Sequence, residues 1–226
     1  MTIADRLRAI QQQITDCEQR YGRNKDSVTL LAVSKQQPIA LIQEAYAAGQ
    51  RCFGENYLQE ALPKIMALAH LPIEWHFIGH IQANKTRKIA EHFSMVESVS
   101  SLKIAKRLND QRPAHLPPLA ICLGINLLQE PGRSGIAPSE ALTLANAISD
   151  LPRLKLRGLM CIPEPACTLA ETRRHFHALS TLWNVLRDAG HDLDMLSMGM
   201  SNDFEAAIAE GSTHVRIGTA IFGRRS

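Results

Sequence analysis

The stretch VTLLAVSKQQP, residues 28–38, begins as an unbroken apolar run, turns polar at Ser34 and Lys35, and reaches a turn-forming proline at Pro38. A strand wetted on one face alternates apolar and polar residues, and Leu30, Leu31, Ala32 and Val33 do not. Such a run fits a strand covered on both faces, as in a parallel sheet flanked by helices. Similar runs recur as RCFGEN (51–56), EWHFIGH (74–80), SMVESVS (94–100), PLAICLGINL (118–127), LRGLMCI (156–162), MLSMGMS (195–201) and HVRIGTAIF (214–222), which makes eight. Helical patterns fill the gaps, among them IALIQEAYAAG, SEALTLANAISD and TLAETRRHFHALSTLWNVLRDAG. Parallel neighbours require such crossovers. Eight units in 226 residues predict a closed (β/α)8 barrel of the TIM type, as one domain over residues 1–226. An open doubly wound sheet is the alternative, weakened because no Gly-x-Gly-x-x-Gly follows the first run.

Ahead of the barrel, Ile3, Leu7, Ile10 and Ile14 are spaced as one face of an extra N-terminal helix. Charges from Asp5 onward argue against a signal peptide, and no apolar run reaches membrane-spanning length. The net charge of +3 comes from basic residues scattered among acidic ones, so no nucleic-acid footprint is expected, and Lys85, Arg87 and Lys88 read as a solvated helix face. The five cysteines, Cys17, Cys52, Cys122, Cys161 and Cys167, show no Cys-x-x-Cys spacing. A reducing, cytoplasmic setting with neither disulfide framework nor zinc knuckle is expected.

Barrels of this class work at the carboxyl ends of their strands. Lys35 follows the first run, Glu55 and Asn56 end the second, His80 the third and Ser201 the seventh, with Gly218 and Thr219 within the eighth. Strand parity in the last run sets Val215, Ile217 and Thr219 on one face and His214, Arg216 and Gly218 on the other. An inward Arg216 needs a partner, because an unpaired buried guanidinium is heavily penalised. In MGMSNDFEAAIAEG, Ser201 reads either as a plain helix cap or as a phosphate donor. The loops after strands seven and eight are where these barrels commonly hold phosphate. An amine, a guanidinium and phosphate donors at one mouth suit pyridoxal 5′-phosphate (PLP): the aldehyde meeting Lys35, the ring nitrogen Arg216, the phosphate the Ser201 and Thr219 loops. Taken alone, Lys35 also reads as an ordinary strand-end lysine.

The motifs LLAVSKQQP, FGENYLQE, WHFIGHIQANK, GLMCIP and SMGMSNDFEAAIAEGSTHVRIGTAIFG resemble those of the pyridoxal phosphate homeostasis protein family, which is similar in fold to the N-terminal barrel of alanine racemase. The likeness runs from about Val28 to Gly223. It implies that Lys35 is the Schiff-base lysine, Arg216 the pyridine-nitrogen partner, and Ser201, Gly218 and Thr219 phosphate contacts, with Asn56 and Met200 as further pocket residues. EPGRSGI resembles the family's basic-Ser-Gly loop, with Arg133 where lysine is usual, and Asn202 stands where aspartate is common. His80 matches a motif without an implied role.

Turnover is a separate matter. A racemase needs a second acid/base group opposite the lysine, commonly a tyrosine. Tyr57 is the one candidate near the mouth, and as the neighbour of Asn56 it is expected to point away. The chain's end soon after the eighth run leaves no room for the second domain of an alanine-racemase-like enzyme, so an open pocket is expected. The expectation is therefore a monomeric PLP-holding protein of vitamin B6 and amino-acid homeostasis, serving PLP-dependent apoenzymes. A racemase-like enzyme and a phosphate-binding barrel without an imine are the alternatives.

Overall fold

The computed structural model describes residues 1–128, 132, 134–162 and 168–223. Eight parallel strands close into a barrel in chain order: β1 (Thr29–Val33), β2 (Cys52–Glu55), β3 (Glu74–Phe77), β4 (Met95–Val99), β5 (Leu119–Ile125), β6 (Leu154–Cys161), β7 (Met195–Met200) and β8 (His214–Ile217). Pairing of β1 with β8 shuts the sheet, so it has no open edge. The open-sheet alternative is thereby removed.

Outside the strands lie α1 (Ile3–Arg20), α2 (Ile39–Ala47), α3 (Leu58–Ala67), α4 (Thr86–His92), α5 (Leu102–Gln111), α6 (Ala141–Ser149), α7 (Leu169–Asp188), α8 (Phe204–Ala209) and α9 (Thr219–Phe222). The main core fills the shell between strands and helices, where Leu30, Ala32, Phe53, Val96 and Val215 meet helix residues such as Ile42, Ile89 and Phe176. A smaller cluster of Met95, Cys122, Met160 and Met195 fills the barrel's inside. The two clusters explain the missing alternation in the sequence: both strand faces are buried, one against helices and one against the axis.

The first helix forms as its spacing predicts. Thr2 and Asp5 make a capping box, and Ile3, Leu7, Ile10, Ile14 and Cys17 are buried along one stripe. It packs on the far side of the chain's last elements, with Arg6 Nη1 donating to the Ile221 carbonyl at 3.2 Å and Arg20 bridging to Glu205 at 2.5 Å. Glu18 is buried and accepts from the Val28 amide at 2.8 Å, fastening the turn that leads into β1.

Three run ends differ from expectation. The eighth strand stops at Ile217; Gly218 turns to helical ψ, and Thr219–Phe222 coils into α9, because Ile221 and Phe222 bury against the N-terminal helix rather than extend the sheet. Thr219 therefore begins a helix and does not sit within a strand. The third strand ends at Phe77, leaving His80 in the following loop, and Ser201 lies in the turn after β7. Among the described residues, no helix is long and apolar enough to cross a membrane.

Candidate functional site

The carboxyl ends of the strands open on a cavity of about 540 Å³. Lys35, Asn56, Met200, Ser201, Arg216, Gly218 and Thr219 all line it, so the structure brings together the residues that the family resemblance implied for the pocket. On β1 the parity is plain: Leu30 and Ala32 face the helices, whereas Val33 faces the cavity, and one more alternation turns Ser34 outward and Lys35 inward. The lysine that closes the run is thus turned to the cavity rather than to the outer surface.

The turn carrying Lys35 is held from behind. The Ser34 amide donates to the Gly54 carbonyl at 3.0 Å and Ser34 Oγ to Glu55 Oε1 at 2.6 Å; Lys64 Nζ, reaching up from α3, donates to both Glu55 Oε1 and the Ser34 carbonyl at 2.8 Å. Gln36, with φ 58°, donates its amide to Glu60 Oε2 at 3.1 Å. Glu55 is thus not a mouth residue, as its place at the end of the second run suggested. It is fully buried behind the wall, where burial pushes its carboxyl up against the opposing pull of Lys64 and Ser34.

Arg216 lies inside the barrel, 4% exposed, and does have partners. Nη2 donates to the Cys161 carbonyl and Nη1 to Ser197 Oγ, each at 2.7 Å. Ser197 in turn donates to Glu97 Oε2 at 2.5 Å, while His76 Nδ1 bonds Glu97 Oε1 at 2.7 Å. Burial alone would raise the Glu97 carboxyl, but the His76 hydrogen bond and charge, the Arg216 charge and Ser197 together hold it down at about 2. An ionised Glu97 only accepts, which fixes every proton in the column: Arg216 to Ser197, Ser197 to Glu97, Nδ1–H of His76 to Glu97.

Two glycines shape the mouth. A Cβ on Gly79 would stand 2.1 Å from the Asn56 carbonyl oxygen, so only glycine lets the loops after β2 and β3 close together there. A Cβ on Gly218 would stand 3.1 Å from the Val33 carbonyl oxygen, and its absence leaves bare backbone at the cavity wall. Ser201 does not cap α8; Asp203 occupies the cap position and accepts from the Met200 amide at 2.5 Å. The plain-cap reading of Ser201 falls, and its hydroxyl is left at the cavity. His80 also lines the cavity, with Nδ1 3.0 Å from Ser134 Oγ. Tyr57 is 55% exposed and outside that lining. Arg133 of the basic-Ser-Gly loop lies outside the described residues.

Glu97, Ser197, His76 and Lys64 escaped the sequence reading. Glu97 carried a signal: a carboxylate inside the apolar run SMVESVS, at the parity of Met95, is the partner an inward Arg216 demands.

These residues also fit the cofactor their chemistry suggests. The buried Asn56 Oδ1 has no hydrogen-bond partner and sits at the cavity, and an amine, a guanidinium and two hydroxyls face one volume. A parallel barrel with this set at its carboxyl mouth is a cofactor-binding barrel of the alanine racemase type. The family model "Alanine racemase, N-terminal domain" matches residues 6–226. A pyridoxal phosphate homeostasis protein of Pseudomonas aeruginosa is 55% identical over 224 residues, covering 99% of this chain and 96% of that one. Another, from Escherichia coli K12, is 48% identical over 226 residues, covering 99% and 97%. The structure of PipY from Synechococcus elongatus PCC7942, solved with PLP bound, matches with a TM-score of 0.87 at 40% identity over 98% of this chain and 100% of PipY. The chain belongs to the alanine racemase N-terminal domain family, within its branch of pyridoxal phosphate homeostasis proteins.

Proposed function

We propose that this chain binds PLP at the carboxyl mouth of its barrel, attached as a Schiff base to Lys35, and takes part in PLP and amino-acid homeostasis without ordinary catalytic turnover. The observation that carries the reading is the convergence of Lys35, Arg216, Ser201 and Thr219 on one cavity. The bound cofactor would supply a reactive aldehyde and an electron-withdrawing ring. The protein's part is positional. Lys35 presents its amine from a turn clamped by Glu55 and Lys64. Ser201, Thr219 and the bare backbone at Gly218 would hold the phosphate, and Met200 and Asn56 would border the ring.

Arg216 would face the ring nitrogen of a bound cofactor as a permanent cation. It is held in place by Ser197 and the Cys161 carbonyl. A guanidinium there would donate a hydrogen bond without giving up a proton, so a bound ring nitrogen would stay unprotonated and be a weaker electron sink. That disfavours transamination. The whole of residues 1–226 acts as one cofactor-binding unit, a cytoplasmic monomer delivering PLP to apoenzymes.

The test is to load the purified protein with PLP, reduce with borohydride and map the adduct. A visible band that vanishes on reduction, with the label on Lys35, is expected; a Lys35→Ala protein should stay folded and show neither. A label elsewhere, or none, overturns the site. α-Proton exchange of amino acids in deuterated water at ordinary enzymatic rates would overturn the non-catalytic reading and favour a racemase-like enzyme, with His80 and His175 at the cavity as the groups to substitute next.

A further inference from the structure

The foot of the barrel, opposite the cofactor mouth, gathers a second set of reactive side chains. Cys52 and Glu74 are register partners at the start of β2 and β3, and His76 follows Glu74 on the same face. The Cys52 thiol donates to Glu74 Oε2 at 3.3 Å, and one ligand-type atom from each of Cys52, Glu74 and His76 lies within 4.8 Å of the other two. Cys52 is half-buried and Glu74 exposed, so the cluster can be reached from solvent.

His76 is the telling member. It is only 4% exposed, and its Nδ1–H is spent on Glu97, so its lone pair resides on Nε2 whenever the ring is neutral. Nε2 makes no hydrogen bond with any described residue. A histidine whose far nitrogen is tied to a carboxylate, beside a thiol and a second carboxylate, has the arrangement that orients imidazole ligands in metal centres.

We propose that Cys52, Glu74 and His76 form a binding site for a divalent ion of the zinc class at the foot of the barrel. The donor set of one sulfur, one imidazole nitrogen and one carboxylate oxygen selects a borderline-soft ion over magnesium or calcium. Bonds of about 2.0–2.3 Å in a tetrahedral shell put ligand atoms roughly 3.3–3.7 Å apart; the Cys52–Glu74 pair is already at that spacing, and His76, within 4.8 Å of both, needs only a small adjustment. Water completes the shell. Arg157, the nearby cation, is matched by the Asp194 carboxylate through two contacts of 2.9 Å and leaves the thiolate and carboxylate charges for the ion. A thiol is protonated at neutral pH, so the metal–sulfur bond would form as the S–H bond breaks and one proton leaves to solvent.

The probe is cobalt(II), added to the reduced, untagged full chain with and without PLP. Saturation at one ion per chain is expected, with sulfur-to-cobalt charge-transfer absorption, release of one proton, displacement by zinc and no competition from magnesium. Cys52→Ser should abolish the absorption and weaken binding at least tenfold; Glu74→Gln should weaken it while keeping the absorption. Lys35→Ala should bind cobalt like the parent, which separates this site from the cofactor site. Cobalt binding without thiolate absorption, or equal affinity in parent and Cys52→Ser, overturns the proposal. Should Cys52→Ser unfold, unchanged affinity in the exposed-site variant Glu74→Gln overturns it instead.

Discussion

Two glutamates, Glu55 on β2 and Glu97 on β4, are both fully buried, yet their surroundings drive them in opposite directions. Glu55 stands between the barrel wall and α3, where Ser34 and Lys64 share one of its oxygens and Oε2 has no partner. Burial wins, and its carboxyl is raised. Glu97 stands inside the barrel with His76 on one oxygen and Ser197 on the other, and Arg216 adds its charge. There the partners win. Burial alone does not decide whether a carboxylate stays ionised; the number of donors and charges around both oxygens does. Each glutamate also backs a different cation of the candidate site, Glu55 through Ser34 the turn of Lys35, and Glu97 through Ser197 the guanidinium of Arg216.

The sharpest way to break this contrast is to neutralise each glutamate in turn. Glu97→Gln strands the buried Arg216 and is expected to cost about 3–5 kcal/mol of unfolding free energy. Glu55→Gln also takes the counter-charge from buried Lys64, but Lys64 keeps the Ser34 carbonyl and the amide oxygen, and burial already opposes the lost charge, so a smaller cost of about 1–3 kcal/mol is expected. Urea titrations followed by circular dichroism compare the two directly. Equal losses, or a greater loss at Glu55, would mean that the interior column is not the more tightly coupled of the two.

Acid provides the second comparison. Glu97 is held at about 2 against an ordinary 4.5, so its stabilisation is complete above pH 4.5 and is lost as pH falls toward 2, about 3 kcal/mol in all. Burial holds His214, on β8 near His76, down at about 4 against 6.5. The folded state therefore takes up a proton there less readily than the unfolded chain. Its contribution, again about 3 kcal/mol, is complete above pH 6.5 and lost as pH falls through 4. Glu55 works the other way: its raised carboxyl favours the fold below pH 4.5, and that help fades as pH rises. Stability should thus fall in two stages, first between 6.5 and 4 and then below 4.5. His214→Gln should flatten the first stage and leave the second, and a single late transition in both proteins would contradict the assignment.

The barrel was legible because eight runs without alternation leave few other architectures, and the cavity because strand ends are where side chains converge. Arg216 was legible as a residue in need of a partner, and parity gave its direction. The partner itself was harder, since Glu97 on β4 is separated in sequence by three strands from Arg216 on β8 and joins it only across the barrel's inside, through Ser197 on β7. Glu55 misled for a related reason. Position at a strand end predicts the mouth, but a residue one step out of phase with the axis faces α3, and only the pairing with Lys64 reveals that. The end of β8 misled because Thr-Ala-Ile-Phe has strand propensity locally, whereas the apolar stripe of α1 makes burial as a helical turn the better outcome.

The two serines offer the finest test of the contrast. Ser34 and Ser197 each donate a hydroxyl to a buried glutamate, at 2.6 and 2.5 Å, but Ser197 also receives Arg216, whereas the Ser34 turn keeps its backbone bonds to Gly54 and Lys64. Ser197→Ala therefore strips hydrogen bonds from two charged groups and is expected to cost about 3 kcal/mol; Ser34→Ala strips one and is expected to cost about 1 kcal/mol. The ratio carries the meaning, because both substitutions delete the same atom at equally buried positions. If the two variants unfold at the same urea concentration, Ser197 is not transmitting charge between Glu97 and Arg216, and the column is a set of neighbours without coupling.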